Sequence, residues 1–168
     1  MENFGAFFAR HRERLFGYLM RLTGDYHLSA DLLQESFTRY LSTYGNRSQN
    51  LALLYRIARN ALLDIRRRQS RTPGTKEEPK DPRGDPERRL LVREEYRQMM
   101  TALGRLKESD REILALAATG DLKYRQIAEI LSVNENAVKV RIHRARIRLR
   151  QILEEMNHER PFDQHFHR

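Results

Sequence analysis

Six basic side chains fall within twelve residues near the C-terminus of this 168-residue chain, and no acid lies among them. They are Lys139, Arg141, Arg144, Arg146, Arg148 and Arg150. Apolar residues recur through the same stretch at intervals of four and three, at Val138, Ile142, Ala145, Leu149 and Ile152. That spacing is one face of an α-helix. The pattern therefore predicts a helix that packs one side on a core and presents a positive field elsewhere, which suits a nucleic acid.

A helix of this kind fits the major groove of DNA, where the residues of its N-terminal part reach the base edges. Here those positions are Asn136, Lys139, Val140, Arg141 and Arg144. Arginine can donate a bidentate fork to guanine, asparagine can pair with adenine, and an apolar side chain can meet a thymine methyl group. The later basic residues, Arg146, Arg148 and Arg150, suit phosphates, which add affinity without sequence information.

A run of charges can also serve only to solvate a helix face. A solvated helix normally mixes acids and bases, because oppositely charged residues four apart stabilise it slightly. No acid occurs from Asn136 to Leu153, so we favour contact with a nucleic acid.

The residues just before the charged helix predict a helix-turn-helix. A short helix carries Ile127 and Leu131, a tight turn holds Ser132 and Val133, and Asn134 can cap the charged helix. Two further helices come before this pair. The first of them is predicted by a cap at Asp85 with Pro86 in the first turn, and its apolar stripe consists of Val92, Tyr96, Met99, Leu103 and Leu106. The second is predicted by a capping box from Ser109 to Glu112 and by a helix end at Gly120.

The composition divides the chain into four segments. Residues 69–87 hold four of the five prolines and no large apolar residue, which predicts a flexible linker. The linker follows a helical domain at 1–68, in which Ser29 is a good cap for the second of three helices. It precedes the helix-turn-helix domain at 88–156 and a polar tail at 157–168. No strand pattern is present, so the predicted fold is all-α, with two small helical domains.

The bulk properties narrow the function further. A formal net charge of +9 favours a polyanion as partner. There is no cysteine to form a disulfide or a thiolate metal site, and no apolar run approaches the roughly 18 residues of a membrane span. We expect a cytoplasmic protein that is monomeric when free, takes no cofactor and is not inserted in a membrane. The histidines of the tail, His158, His165 and His167, are interpreted as solvated rather than as metal ligands.

Both predicted domains resemble parts of one protein family. The words "DLLQESF" and "YRIARN" resemble region 2 of the extracytoplasmic-function sigma factors of bacterial RNA polymerase, and "AVKVRIHRAR" resembles their region 4. The resemblance covers about Phe7 to Leu153, and it implies core RNA polymerase and promoter DNA as partners. It also implies that an anti-sigma factor exists, as is common in the family.

The resemblance implies roles for individual residues. Asp31, Gln34 and Glu35 would dock on the polymerase, whereas Phe37 is expected in the core. The loop that follows the second helix would read the −10 element of the promoter together with the third helix. The residues expected to do so are Asn46, Arg47, Arg56, Arg59 and Asn60. The charged helix would read the −35 element as duplex. Tyr40, Tyr44 and Tyr55 could stack on unpaired bases, although burial in the helical bundle is the favoured interpretation for each.

Four positions depart from the family pattern. Lys107 stands where proline is usual and Ser132 where glycine is usual. Val140 replaces a small polar residue, which suggests a shifted −35 preference. Lys123 replaces the usual serine or threonine cap of a helix, so Asp121 is expected to serve as the cap instead.

Two other functions compete with the sigma-factor interpretation. A stand-alone helix-turn-helix regulator would need a self-complementary apolar surface or an effector pocket, and the sequence indicates neither. An enzyme acting on DNA would need a nucleophile or a set of metal-binding carboxylates. Asp31 and Glu35 lie one helical turn apart, but no third ligand is evidently paired with them, so an enzyme is not expected.

Overall fold

A computed structural model describes residues 3–45, 49–71 and 86–159, the last of these ranges without the side chains of 86–92. The described residues form seven α-helices and no strand, which confirms the predicted all-α fold. The helices are α1 Phe4–Thr23, α2 Tyr26–Tyr44, α3 Leu51–Gln69, α4 Pro86–Arg105, α5 Glu108–Ala117, α6 Tyr124–Leu131 and α7 Glu135–Glu159. Asn46, Arg47, Asp85 and most of the predicted linker and tail lie outside the described residues.

The first three helices form an N-terminal lobe in which α2 packs against both α1 and α3. Side-chain caps define where each helix begins. Asn3 Oδ1 accepts from Ala6 N at 2.9 Å, and Asn50 Oδ1 accepts from Leu53 N at 3.1 Å. Because each cap satisfies a backbone donor that lacks a partner inside the helix, these ends are set by local chemistry.

The predicted cap at Ser29 is wrong. Helix α2 begins four residues earlier than predicted, at Tyr26, because Asp25 Oδ1 accepts the hydrogen bond from Leu28 N at 2.9 Å. Gly24 adopts the left-handed conformation, with φ of 63°, and ends α1 immediately before. Ser29 is instead buried inside α2, where its hydroxyl lies 2.8 Å from Thr23 Oγ1.

The remaining four helices form a C-terminal lobe in which α7 packs against α4, α5 and α6. The predicted capping box at Ser109 is also wrong, because α5 begins at Glu108 with Lys107 as its capping residue. Arg111 performs a different structural role: its guanidinium donates to the carbonyl oxygens of Leu103 and Leu106 at 2.8 and 3.1 Å. Leu103 lies in the last turn of α4, where carbonyls lack the usual partner four residues on, and Leu106 follows the helix end, so Arg111 ties the end of α4 to α5.

The predicted apolar stripe of α4 is confirmed at Leu103 and Leu106 and wrong at Tyr96 and Met99, and the Val92 side chain lies outside the described residues. Tyr96 and Met99 are exposed, whereas Ala102, Leu103 and Leu106 are buried. Only the last turns of α4 meet the core of the C-terminal lobe, and Met100 packs against the core instead of its neighbour Met99.

The helix-turn-helix is formed as predicted. Ser132 takes the left-handed conformation, with φ of 55°, in the turn between α6 and α7, and Asn134 Oδ1 caps α7 by accepting from Ala137 N at 2.7 Å. The expected cap of α6 by Asp121 is wrong. Gln126 Oε1 accepts from Lys123 N at 2.8 Å, and Asp121 points at the N-terminal lobe.

The two lobes pack against each other, α1 on α5 and α3 on α6. Their buried apolar side chains belong to one cluster. Tyr18 and Tyr55 are fully buried beside this junction, with ring centroids 5.3 Å apart. Burial raises the pKa of both hydroxyls, and the nearby carboxylates Glu112 and Asp121 of the C-terminal lobe raise it further.

Candidate nucleic-acid interface

Helix α7 presents the outer face that its sequence predicts. Val138, Ile142 and Ala145 are buried against the C-terminal lobe. The five predicted base-reading positions are all exposed, and they are Asn136, Lys139, Val140, Arg141 and Arg144. Val140 is 47 % exposed although it is apolar. An exposed apolar side chain between basic groups suits contact with a thymine methyl group.

The basic residues of α7 divide into free and paired groups. Arg148 Nη1 lies 2.6 Å from Asp110 Oδ2, a carboxylate that is almost completely buried. No other basic residue from Lys139 to Arg150 forms an ion pair within the part of the chain that the structure describes. The basic side chains of α7 that extend into solvent without a carboxylate partner are therefore available to phosphates or bases. Arg148, in contrast, also connects α7 to α5.

The predicted −10 residues of α3 meet the C-terminal lobe. Arg59 forms a fork on Glu112, with Nε 2.5 Å from Oε1 and Nη2 3.4 Å from Oε2. This hydrogen bonding raises the pKa of Arg59. Arg56 donates to the carbonyl oxygen of Glu129 at 2.9 Å, while Asn60 is exposed. Two of the three described −10 candidates are thus held by protein groups in this arrangement.

The predicted docking residues lie on the outer side of α2. Asp31 and Gln34 are exposed, and Glu35 is half exposed and paired with Arg39 one turn along the helix. Gln34 also lines an open apolar groove of about 480 Å³ between α1 and α2. Phe37 is buried, as expected, and contacts Phe8 at a ring-centroid distance of 4.7 Å.

The tyrosines of the N-terminal lobe are not equivalent. Tyr40 and Tyr55 are completely buried, which confirms the favoured interpretation for these two. Tyr44 is 44 % exposed at the end of α2, so it alone of the three offers a ring face to a base.

The sequence prediction missed the acids and bases that join the lobes. Arg66 pairs with Glu108, and Asp121 Oδ2 lies 3.1 Å from His11 Nδ1 and 3.4 Å from Arg14 Nη1. These partners are between 42 and 110 residues apart in the chain. No local spacing marks such pairs. In the sequence Glu108 and Glu112 resemble ordinary acids near the start of a helix.

The described residues contain no group of three histidines, aspartates or glutamates that could hold a metal ion. No helix among them combines the length and apolarity that a membrane crossing requires.

Family comparisons cover both lobes. The Sigma-70 region 2 family matches residues 7–72, and the Sigma-70 region 4 family matches residues 96–149. Over 152 residues the chain is 31 % identical to the ECF RNA polymerase sigma factor ShbA of Streptomyces griseus, covering 82 % of this chain and 78 % of that one. It is 30 % identical over 152 residues to the ECF RNA polymerase sigma factor SigE of Mycolicibacterium smegmatis, covering 86 % of this chain but only 59 % of SigE.

A solved structure has the same arrangement of helices. It is the sigma factor RpoE of Bartonella quintana in complex with the anti-sigma factor NepR. The TM-score is 0.67 at 21 % sequence identity, and the match covers 88 % of this chain and 94 % of RpoE. At this identity the likeness concerns the fold.

Proposed function

The chain belongs to the extracytoplasmic-function (ECF) sigma factors of RNA polymerase, and we propose that it binds core RNA polymerase and directs it to promoters by recognising −10 and −35 elements. The observation that carries this proposal is a solvent-facing cationic helix, α7, in a chain that matches both region 2 and region 4. The chain supplies binding and orientation; the polymerisation chemistry belongs to the core enzyme. A protein that binds promoter DNA and core polymerase acts in the bacterial cytoplasm.

The C-terminal lobe reads the −35 element as duplex. Asn134 and the turn before it set where α7 begins, so the N-terminal turns of α7 enter the major groove. Asn136, Lys139, Arg141 and Arg144 then face the base edges. Arg146 and Arg150 lie further along the helix, where the groove turns away and phosphates come within reach.

The N-terminal lobe reads the −10 element as an opened strand. Arg56, Arg59 and Asn60 of α3 follow the phosphate backbone, together with Asn46 and Arg47 of the preceding loop, which lie outside the described residues. Tyr44, at the exposed end of α2, is suitably placed to stack on an unpaired base. Base-independent phosphate contacts and one or two stacking surfaces are what binding to a single strand requires.

Helix α2 docks on core polymerase. Its outward side combines acids in an otherwise basic lobe with the rim of an apolar groove. Charged groups at the rim of an interface set orientation and association rate, and an apolar centre supplies affinity. Asp31, Gln34 and Glu35 take the first role.

We also propose that an anti-sigma factor controls the chain when it is not engaged with polymerase. The support is the fold likeness to RpoE, which was solved with the anti-sigma factor NepR. The alternative of a stand-alone helix-turn-helix regulator is not favoured. The N-terminal lobe matches Sigma-70 region 2, and such a lobe would have no function in a regulator of that kind.

Transcription in vitro tests the proposed function. Core RNA polymerase is mixed with the protein and with genomic DNA of the source bacterium, and the 5′ ends of the transcripts are sequenced. We expect start sites that are absent with core enzyme alone and that share two upstream elements. Transcripts no different from those of core enzyme alone would refute the proposal. Tight binding of the protein alone to a duplex operator, with little salt dependence, would support the regulator instead.

A further inference from the structure

The C-terminal lobe covers the cationic face of α3 with carboxylates. The guanidinium of Arg59 forks onto Glu112, and one α5 turn away Glu108 pairs with Arg66. Arg66 also donates to the carbonyl oxygen of Leu22 in α1 at 2.8 Å, which anchors its side chain within the N-terminal lobe beside the junction. Two arginines of one helix face thus meet two glutamates of another.

Two more contacts close the junction on either side. Arg56 donates to the carbonyl oxygen of Glu129 on α6. The Asp121 side chain, between α5 and α6, is 9 % exposed, and its Oδ2 lies within pairing distance of both His11 and Arg14 of α1. Together with the buried pair Tyr18 and Tyr55, these contacts hold the C-terminal lobe against α1 and α3.

The partners of Arg59 resemble a nucleic-acid backbone in their chemistry. A guanidinium binds carboxylate and phosphate oxygens through the same planar fork. Arg59 and Glu112 retain only 26 % and 16 % of their side-chain exposure. A phosphate therefore reaches Arg59 only after Glu112 has left, whereas Arg56 stays exposed and donates a single hydrogen bond to a backbone carbonyl.

We propose that the C-terminal lobe inhibits the N-terminal lobe in the free protein, with Glu108 and Glu112 standing in for phosphates of the −10 strand. This inference rests on the proposed function, since it assumes that α3 binds the opened strand. It adds that the strand and the C-terminal lobe compete for one set of arginines. The protein then has a closed state, which is described above, and an open state that binds single-stranded DNA.

The ion pairs across the junction differ in how well they are shielded from water. The Arg66–Glu108 pair is largely solvent-exposed, at 30 % and 62 % for the two side chains, and exposed ion pairs contribute little and are screened by salt. The better-shielded Arg59–Glu112 pair dominates. A partner that binds the two lobes apart from each other has to replace these polar contacts and the apolar packing around Tyr18 and Tyr55.

The test removes the negative charges of the two glutamates and leaves the arginines unchanged. The double variant Glu108→Gln, Glu112→Gln keeps the side-chain shapes and loses both charges. Its binding to a labelled single-stranded DNA of mixed sequence, about 12 nucleotides long, is compared with that of the wild type at low salt. Because the native chain has no cysteine, dyes attached through Arg12→Cys and Gln151→Cys report the separation of the lobes by energy transfer.

A matched control separates opening from simple loss of negative charge. Glu154 and Glu155 are exposed on α7, far along the helix from its reading end. The variant Glu154→Gln, Glu155→Gln makes the same change in net charge without altering the junction. Asp121→Asn gives a second route to opening that leaves α5 unchanged, and thermal melting shows that each variant is folded.

Opening is expected to lower the energy transfer and to tighten strand binding about tenfold or more relative to the control, since a minor open state is typically ~0.1–10 % populated. Unchanged energy transfer in both junction variants would overturn the proposal, and so would opening without a gain in strand binding. Transcription by the wild-type protein is measured in parallel. If it succeeds while the binding test fails, only the inhibitory contact is wrong; if it also fails, the proposed function is wrong.

Discussion

Arg144→Ala and Arg148→Ala are expected to affect different properties, although the two residues are one turn apart on α7. Arg144 is exposed and has no ion-pair partner among the described residues. Arg148 Nη1 lies 2.6 Å from Asp110 Oδ2, and the Asp110 side chain is only 7 % exposed. The first substitution should therefore weaken promoter binding, whereas the second should destabilise the C-terminal lobe.

The structure sets the size of each effect. Losing a bidentate contact to a base costs about 1–3 kcal/mol, which corresponds to roughly 5- to 140-fold in affinity. Removing Arg148 leaves Asp110 with Lys107, whose Nζ lies 4.0 Å away. A buried acceptor without its partner costs about 1–3 kcal/mol. Because Arg148 is 44 % exposed, water enters the vacated space, and we expect a cost near 1 kcal/mol.

Two assays separate these outcomes. Binding of the polymerase complex is measured on promoter fragments with the −35 sequence found in the transcription experiment and with a scrambled one. Arg144→Ala should lose affinity on the first and much less on the second. Unfolding by urea should show a lower midpoint for Arg148→Ala and an unchanged one for Arg144→Ala.

Arg150→Ala is the control, because Arg150 is exposed and lies at the phosphate-contacting end of α7. It should weaken both fragments equally and reduce the salt slope by about one unit. Equal losses for Arg144→Ala on matched and scrambled sequences would refute the assignment of α7 as a reader of bases. An Arg148→Ala protein of normal stability and reduced DNA affinity would refute the structural role of the Asp110 pair.

Three further outcomes are expected. Charge reversal at Asp31 and Glu35 should weaken binding to core polymerase, measured by co-purification, without changing the unfolding midpoint, because neither side chain is in the core. Ile142→Ala should lower the free energy of unfolding, measured by urea denaturation, by about 2–5 kcal/mol. The reason is that Ile142 is 1 % exposed between α7 and the other helices of the C-terminal lobe. Burial raises the pKa of Tyr18 and Tyr55 above the ordinary value of 10.0, so their contribution to stability should be constant below about pH 10 and should fall above it, because the unfolded chain releases these protons first.

Each of these has a matched comparison. Reversing Glu154 and Glu155 changes the net charge equally and should leave polymerase binding intact. Ile147→Ala removes the same atoms from a side chain that is 39 % exposed, and it should cost much less than Ile142→Ala. In an alkaline absorbance titration of the folded protein, Tyr18→Phe and Tyr55→Phe should each remove signal from the part of the curve above the ordinary tyrosine pKa, and loss of signal from the earlier part would contradict the predicted direction.

Local patterns carried much of the fold prediction. The two faces of α7 follow directly from its period, because each apolar position that recurs every three or four residues needs a core to cover it. The predictions failed where two neighbouring residues could do the same task. Asp25 and Ser29 are both acceptable caps, and only the short reversal at Gly24 decides for Asp25. On α4 the predicted stripe is buried at Leu103 and Leu106 but exposed at Tyr96 and Met99, because how much of the helix meets the core depends on its neighbours.

The contact between the lobes lay beyond such patterns for a chemical reason. Arg59 is suited to phosphate because its guanidinium is planar and permanently charged, and the same properties suit it to Glu112. The sequence therefore identifies a group that seeks an oxyanion, and it does not identify which oxyanion. The structure supplies one candidate, a carboxylate 53 residues away, and the proposed function supplies another, a phosphate of the opened strand. Both are compatible with the same residue only if they bind it in turn, which is why competition between the C-terminal lobe and DNA follows from the chemistry of a single side chain.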